Sequence, residues 1–239
     1  SRDTSLDHML NYRMHKNILI IGYGDIGSRL KSYFDNSNTS LYILRRSAID
    51  EKGLFSSQWD WLSGERFSFK DVSFDAVIII PKPSNRDEGG YLNGFIKSVL
   101  NIERSLASIP FKKLIAISST RVYGADQVGI LNESINPIPS DYRGIIIKEY
   151  EDLLSTIFED KLTILRLSGL YSEKSKTLPF NKLHRDNAAA AIKFFIEDNS
   201  KSAHANTYNC SEDRILNPIE RCIDNKKIKD IGFEFKQFS

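Results

Sequence analysis

The chain has 239 residues, a formal net charge of +2 and 27% charged residues, which fits one globular domain with room for a small appendage. No basic block or basic amphipathic helix stands out, so composition gives no reason to expect a nucleic-acid or membrane partner; Arg45-Arg46 and Lys226-Lys227 are too short for that role. The two cysteines, Cys210 and Cys222, have neither metal-ligand spacing nor a disulfide framework, so no metal site is expected and a reducing cytoplasm is the simplest location. No apolar run approaches the ~20 residues of a membrane span, and the N-terminus lacks the apolar core of a signal peptide. Ser1 to His8 read as an expression scar ending in His-Met, with Met9 or Met14 as the natural start, and residues 1–15 are set apart as an extension.

The chain is organised around Lys16-Asn17-Ile18-Leu19-Ile20-Ile21-Gly22-Tyr23-Gly24-Asp25-Ile26-Gly27. An apolar run enters a Gly-x-Gly-x-x-Gly turn, and Ile26, Leu30 and Tyr33/Phe34 then recur at helical spacing. Strand, tight turn and helix follow. In such a unit Gly22 makes the turn, Gly24 lets a pyrophosphate approach the backbone, and Gly27 permits close helix packing. The N–H groups from Asp25 and Ile26 onward face the phosphates with a partial positive charge. The alternative is a purely structural strand–helix turn.

Asn36 to Ser40 form a polar turn, and Leu41 to Leu44 a second strand ending in Arg45-Arg46. NAD-selective sites place a carboxylate about 20 residues past the glycines, whereas NADP sites place cations near the 2′-phosphate. No carboxylate occurs here until Asp50, so Arg45 and Arg46 favour NADP over NAD; a solvated basic loop is the alternative. Leu54 to Leu62, with Trp59 and Trp61, reads as a short irregular helix, and Arg66 to Lys70 as a short third strand. Phe74 to Ile80 is a strand apolar enough to be buried on both faces, ended by Pro81-Lys82-Pro83-Ser84. Ligands of doubly wound sheets lie outside the carboxyl ends of the strands, so Pro81 and Lys82 should flank a cofactor. Tyr91 to Leu106 reads as one long helix with Phe95, Val99, Ile102 and Leu106 on one face.

Lys113 to Ile117 form a further strand that delivers Ser118-Ser119-Thr120-Arg121-Val122-Tyr123-Gly124 to the same edge. Asp141 to Phe158 is helical, Leu162 to Leu167 a strand, Asp186 to Glu197 an alanine-rich helix, and Ala205 to Asn209 another strand. This alternation implies an α/β fold, a Rossmann-type doubly wound parallel sheet. The expected division is a dinucleotide-binding domain over 16–167 and a small C-terminal substrate or lid region over 168–239.

Ser118 to Gly124, Asn132-Glu133-Ser134, Pro137 to Ser140, Glu151, Leu165 to Tyr171, His184 to Ile192 and Tyr208-Asn209 follow one another as landmarks do in a known family. In these stretches the chain resembles the NAD(P)-dependent epimerase/dehydratase branch of the short-chain dehydrogenases/reductases, over nearly all of 16–210. The resemblance implies substrates that are often nucleotide sugars, and a Ser or Thr on the reacting oxygen. It also implies a Tyr four residues before a Lys: the Tyr moves the proton, while the Lys lowers its pKa and holds the nicotinamide ribose. Four residues turn a helix by about 400°, leaving both side chains on one face.

Ser119 matches the hydroxyl position, but counting back from Glu151 puts Ile147 at the Lys position and Arg143 at the Tyr position. Tyr142 and Lys148 lie nearby, six residues and about 240° apart, so they replace the pair only if the helix begins later or is distorted. Thr120 and Arg121 stand where the family's dehydratases carry acids, which disfavours that chemistry. The pattern is that of an atypical member. The candidate catalytic residues are Ser119, Tyr142, Arg143 and Lys148; Arg143 suits an anion but cannot act as a general acid, its pKa lying above ~12. His184 is read as structural, and Tyr123 as packing. Two functions follow: an NADP-dependent oxidoreductase or epimerase acting on a carbonyl or hydroxyl of a small sugar-like metabolite, or a dinucleotide-binding regulatory or assembly protein without chemistry. The resemblance also implies a homodimer through the helices Tyr91 to Leu106 and Asp141 to Phe158.

Overall fold

A computed structural model describes residues 15–35, 37–199 and 206–238; Ser1, His8, Met9, Met14, Asn36 and Ala205, named above, lie outside them. Seven strands form the central sheet: β1 (Lys16–Ile21), β2 (Thr39–Arg45), β3 (Leu54–Gln58), β4 (Ala76–Ile79), β5 (Leu114–Ser119), β7 (Leu162–Leu167) and β10 (Asn206–Cys210). Their order is β10-β7-β5-β4-β1-β2-β3, every pair parallel. The sequence wraps outward from β1 in both directions, as in a Rossmann fold. β1, β4 and β5 lie between neighbours and are buried on both faces, which is why they read as unbroken apolar runs.

Two layers of helix cover the sheet. On one face α1 (Asp25–Lys31) and α5 (Arg185–Glu197) bury Leu30, Ile192 and Phe195 with Ile18, Ile20 and Ile78. On the other, α3 (Ser98–Leu106) and α4 (Tyr142–Phe158) bury Val99, Ile102, Tyr150 and Leu154 with Leu19, Val77 and Ile164. Among the described residues no helix is long and apolar enough to cross a membrane.

Two local expectations are corrected. Leu54 to Leu62 is not helical: its first half is the edge strand β3, and 66–70 form no strand. β3 pairs only with β2 and is largely exposed, so it lacks the apolar signature of its neighbours. Phe67 and Phe69 instead join an aromatic cluster with Trp59, Phe74 and Tyr42. The helix expected from Tyr91 to Leu106 begins earlier, with α2 (Glu88–Tyr91), and passes through a π-helical stretch at Leu92–Lys97 before α3. There the helix packs against the loop after β4: a Cβ on Gly94 would stand 2.2 Å from the Lys82 carbonyl oxygen, and one on Gly90 would stand 2.4 Å from the Asn85 backbone. The Ser98 hydroxyl donates to the Gly94 carbonyl oxygen at 2.7 Å, satisfying part of the widened turn.

Two small sheets flank the carboxyl ends of β5 and β7. One pairs β6 (Gly129–Leu131) with β11 (Arg221–Ile223), the other β8 (Gly169–Tyr171) with β9 (Lys182–His184). A last short helix, α6 (Lys226–Asp230), follows, and the tail is tied down where the buried Asn187 side chain bonds both the Lys236 amide (2.9 Å) and its carbonyl (2.8 Å).

Candidate active site

The strands end on one side in a cleft of about 670 Å³. Ile26 of the glycine turn, Ile80 and Pro81 after β4, and Ser118 and Ser119 at the end of β5 line it on the sheet side; Ser168, Gly169 and Arg221 close its far end. It lies where parallel α/β sheets bind ligands.

At the glycine turn, Gly22 has φ +96°, and a Cβ there would come within 2.2 Å of the Ile80 carbonyl oxygen. Gly24 is different: a Cβ would meet nothing within 4 Å, so the chain leaves open space beside the start of α1. Gly27 packs against the ring of Tyr23, 2.8 Å from where its Cβ would be, so its contact is with the turn itself. The Asp25 carboxylate accepts from Arg29 (3.0 Å) and Arg185 (3.2 Å), and Arg29 also bonds Asp186 (2.7 Å), tying α1 to α5.

Arg45 ends β2, and its carbonyl accepts from Trp59. Arg45, Arg46 and Lys82 are not part of the cleft lining, whereas Pro81 is. A carboxylate that spacing along the chain does not single out reaches this end of the molecule: Glu51 accepts from the Tyr23 hydroxyl at 3.1 Å and pairs with Lys31 at 3.4 Å. Burial, reinforced by the Glu51 charge, pushes the Tyr23 hydroxyl up to about 12, so it stays protonated at neutral pH. Trp61 also approaches the turn, its ring 3.4 Å from the Gly22 Cβ position.

At the end of β5, the Ser119 oxygen accepts from the Arg121 amide at 3.1 Å. That bond occupies a lone pair and leaves the O–H hydrogen available to another oxygen. Beneath it, the Ser118 hydroxyl donates to Glu151 at 2.6 Å, and Glu151 receives a two-pronged bond from Arg166 at 2.9 and 2.7 Å. Arg166 then donates to the Tyr123 hydroxyl at 2.9 Å, and that hydroxyl donates to the Asn132 carbonyl. Burial opposes the charge on Arg166, yet its bonds to Glu151 prevail and raise its pKa. Burial likewise raises the Tyr123 hydroxyl. Tyr123 is thus more than packing. The network holds the β5 loop to β7 and α4.

Tyr142, Arg143 and Lys148 are not among the residues that line the cleft, although Asp141 and Ile147 beside them, and Tyr91 in contact with Tyr142 and Arg143, are. α4 begins at Tyr142, capped by Asp141 accepting from the Gly144 amide at 2.8 Å, and it is regular to Phe158. Tyr142 and Lys148 therefore stay on different faces. The Tyr142 hydroxyl donates to the Arg86 carbonyl at 2.5 Å, the Arg143 guanidinium lies over the Tyr91 and Tyr142 rings, and Lys148 pairs with Asp152. His184, 3% exposed, accepts the Asp186 amide at the start of α5 and stacks on Phe238 with ring centroids 3.8 Å apart. Among the described residues no His/Cys/Asp/Glu cluster could hold a metal.

No protein-family model and no curated protein matches the sequence. Solved structures do match in shape. A UDP-glucuronic acid 4-epimerase from Bacillus cereus in complex with NAD superposes with a TM-score of 0.71 at 16% identity, over 90% of this chain and 89% of that one. MoeE5 in complex with UDP-glucuronic acid and NAD gives 0.74 at 15% identity, over 93% and 94%. A mutated uronate dehydrogenase gives 0.72 at 15% identity, over 94% and 82%. The chain shares the Rossmann-type α/β fold of these proteins. Ile147, which counting back from Glu151 puts at the lysine position that the resemblance implies, is 4% exposed and part of the cleft wall. The cleft's cations come instead from Arg121, after the serine, and from Arg221, which chain order gave no reason to connect with Ser119.

Proposed function

We propose that the chain is a nicotinamide-dinucleotide-dependent oxidoreductase or epimerase that acts on a carbonyl or hydroxyl of a small, sugar-like metabolite. The observation that carries this reading is Ser119: its hydroxyl hydrogen is available in the same cleft that Ile26 and Pro81 line from the glycine-turn side. The open space beside Gly24 fits a pyrophosphate, and the turn Gly22 to Gly27, with Asp25 and Ile26 at the start of α1, would hold it. Pro81 and Lys82 would border the cofactor, and Arg45 and Arg46 would favour a 2′-phosphate, hence NADP ahead of NAD. The bound dinucleotide supplies a hydride acceptor or donor. Ser119 would donate to the substrate oxygen and polarise it. Tyr142 could supply a proton only by giving up its bond to the Arg86 carbonyl, so water or the substrate's own hydroxyl is the simpler source.

A second reading is favoured by one observation. Ile147 contributes an apolar side chain to the cleft wall, and neither Tyr142 nor Lys148 is part of the lining, which leaves the usual proton-transfer pair without a replacement among the lining residues. On that reading the chain binds a dinucleotide as a regulatory or assembly protein. Fluorescence titration with NADPH and NADH, followed by turnover on a panel of carbonyl and hydroxyl sugars, separates the two. Ser119→Ala should lower kcat by about 10²-fold or more while leaving cofactor affinity within twofold, the size expected for losing one donor to a developing charge. Tight cofactor binding with no turnover on any substrate favours the second reading. Binding of neither cofactor removes both, and a preference for NADH removes the role of Arg45 and Arg46.

A further inference from the structure

Arg221 is half-buried in the cleft wall and has no carboxylate partner among the described residues. Its Nη2 donates to the Thr120 and Tyr123 carbonyls at 3.0 and 2.9 Å, which fixes the guanidinium against the loop that follows Ser119. Its Nε is buried and donates to nothing, and Nη1 enters no hydrogen bond with a described residue. The other charged groups at this end are Arg121 and Asp141, which pair with each other at 2.9 Å. That pair leaves the Arg221 charge uncompensated. Burial, and after it the like charge of Arg121, push the Arg221 pKa below its ordinary value, the mark of a cation that lacks an anion. Ser168, 4% exposed and in the same lining, carries a hydroxyl with no partner. Buried polar groups in folded chains are ordinarily satisfied, so two such residues in one cleft point to a ligand.

Position narrows the ligand. Thr120, whose carbonyl Arg221 holds, is one Cα step of ~3.8 Å from Ser119. Ser168 follows β7, three strand spacings of ~4.8 Å from the glycine turn on β1, so this end is remote from the cofactor's phosphates. We infer that the substrate carries its own oxyanion, a carboxylate or a phosphoryl group, that docks on Arg221 and Ser168 within a few bonds of the oxygen Ser119 holds. A planar fork beside a hydroxyl donor suits either group. This deepens the oxidoreductase reading by assigning its substrate to small anionic sugars or hydroxy acids, and it rests on that reading.

The test is calorimetric titration of the full chain with D-glucuronate, glucose 1-phosphate and D-glucose, with NADPH and NADH titrated into the same preparation. At least one charged sugar should bind about tenfold or more tightly than glucose, a difference of ~1.4 kcal/mol, and which one does so identifies carboxylate or phosphoryl. Arg221→Gln should abolish that advantage. If Arg221→Gln does not fold, Arg221→Lys serves, and it should weaken the charged sugar several-fold. Equal binding of all three sugars, binding of none, or a folded Arg221 variant that keeps the full advantage overturns the inference. Cofactor binding without an anion preference defeats this inference alone; an anion preference without cofactor binding defeats the oxidoreductase reading alone.

Discussion

Arg166 and Arg221 are both withdrawn from solvent at the carboxyl end of the sheet, yet their settings are opposite. Arg166 is 5% exposed and meets a carboxylate in a two-pronged bond, with Ser118 and Tyr123 completing the shell. Arg221 is fixed by two carbonyl oxygens and meets no carboxylate among the described residues. A buried cation with each of its nitrogens bonded serves the fold; one held in place but left short of an anion is prepared for something that is not part of the chain. The two arginines thus separate structure from function: Arg166 lies outside the cleft lining and Arg221 is part of it.

The contrast breaks most visibly at Glu151. Glu151→Ala should destabilise the chain by about 3–5 kcal/mol, because the Arg166 charge is then buried without its partner. Urea unfolding measures this. Replacing the pair together, Glu151→Leu with Arg166→Met, should recover most of that loss, since apolar residues of similar volume often do as well as a buried pair. Failure of the double variant to recover would mean that the pair also positions the β5 loop.

Gly94 and Gly24 sharpen the same contrast at backbone level. Gly94→Ala should cost about 1–3 kcal/mol of stability, the usual range for overpacking, because its Cβ would overlap the Lys82 carbonyl and press the Pro81 loop away from the π-helical stretch. Gly24→Ala should cost no more than about 1 kcal/mol of unfolding free energy: the space is open, but Gly24 is the N-cap of α1 with φ −129° and ψ −146°, where alanine is the poorer residue. It should nevertheless weaken dinucleotide binding by about tenfold or more, equivalent to ~1.4 kcal/mol. A Gly24 variant that binds as well as the parent would place the cofactor elsewhere.

How far the amino-acid sequence reveals such positions depends on where each one sits. β1, β4, β5 and β7 announce themselves because both faces of each strand are buried, and α4 because an Asp cap precedes an apolar period. β3 is hidden by its edge position: Ser56, Ser57 and Gln58 face solvent, so no alternation marks them. The π-helical stretch depends on how Gly90 and Gly94 meet a distant loop, and no local pattern encodes that. Ser119 could be found by its landmark. Arg221 could not, because its link to Thr120 and Tyr123 runs through the pairing of β6 with β11.

Lys148 marks the small end of the scale. It follows the position occupied by Ile147, and it could substitute for the missing cation only if the helix began later or were distorted. Its ammonium instead pairs with Asp152 at 2.5 Å across one helical turn, with the carboxylate 67% exposed. Exposed pairs of this spacing contribute about 0.3–0.5 kcal/mol, so Lys148→Ala should shift stability by no more than that and leave turnover and cofactor affinity unchanged. Moving the cation one residue back, Ile147→Lys, asks the converse question. It directs an ammonium at the cleft wall and should cost about 1–3 kcal/mol of stability through burial of an unpaired charge. A gain in turnover in that variant would mean that the cleft has kept the geometry of the usual chemistry and lacks only its cation.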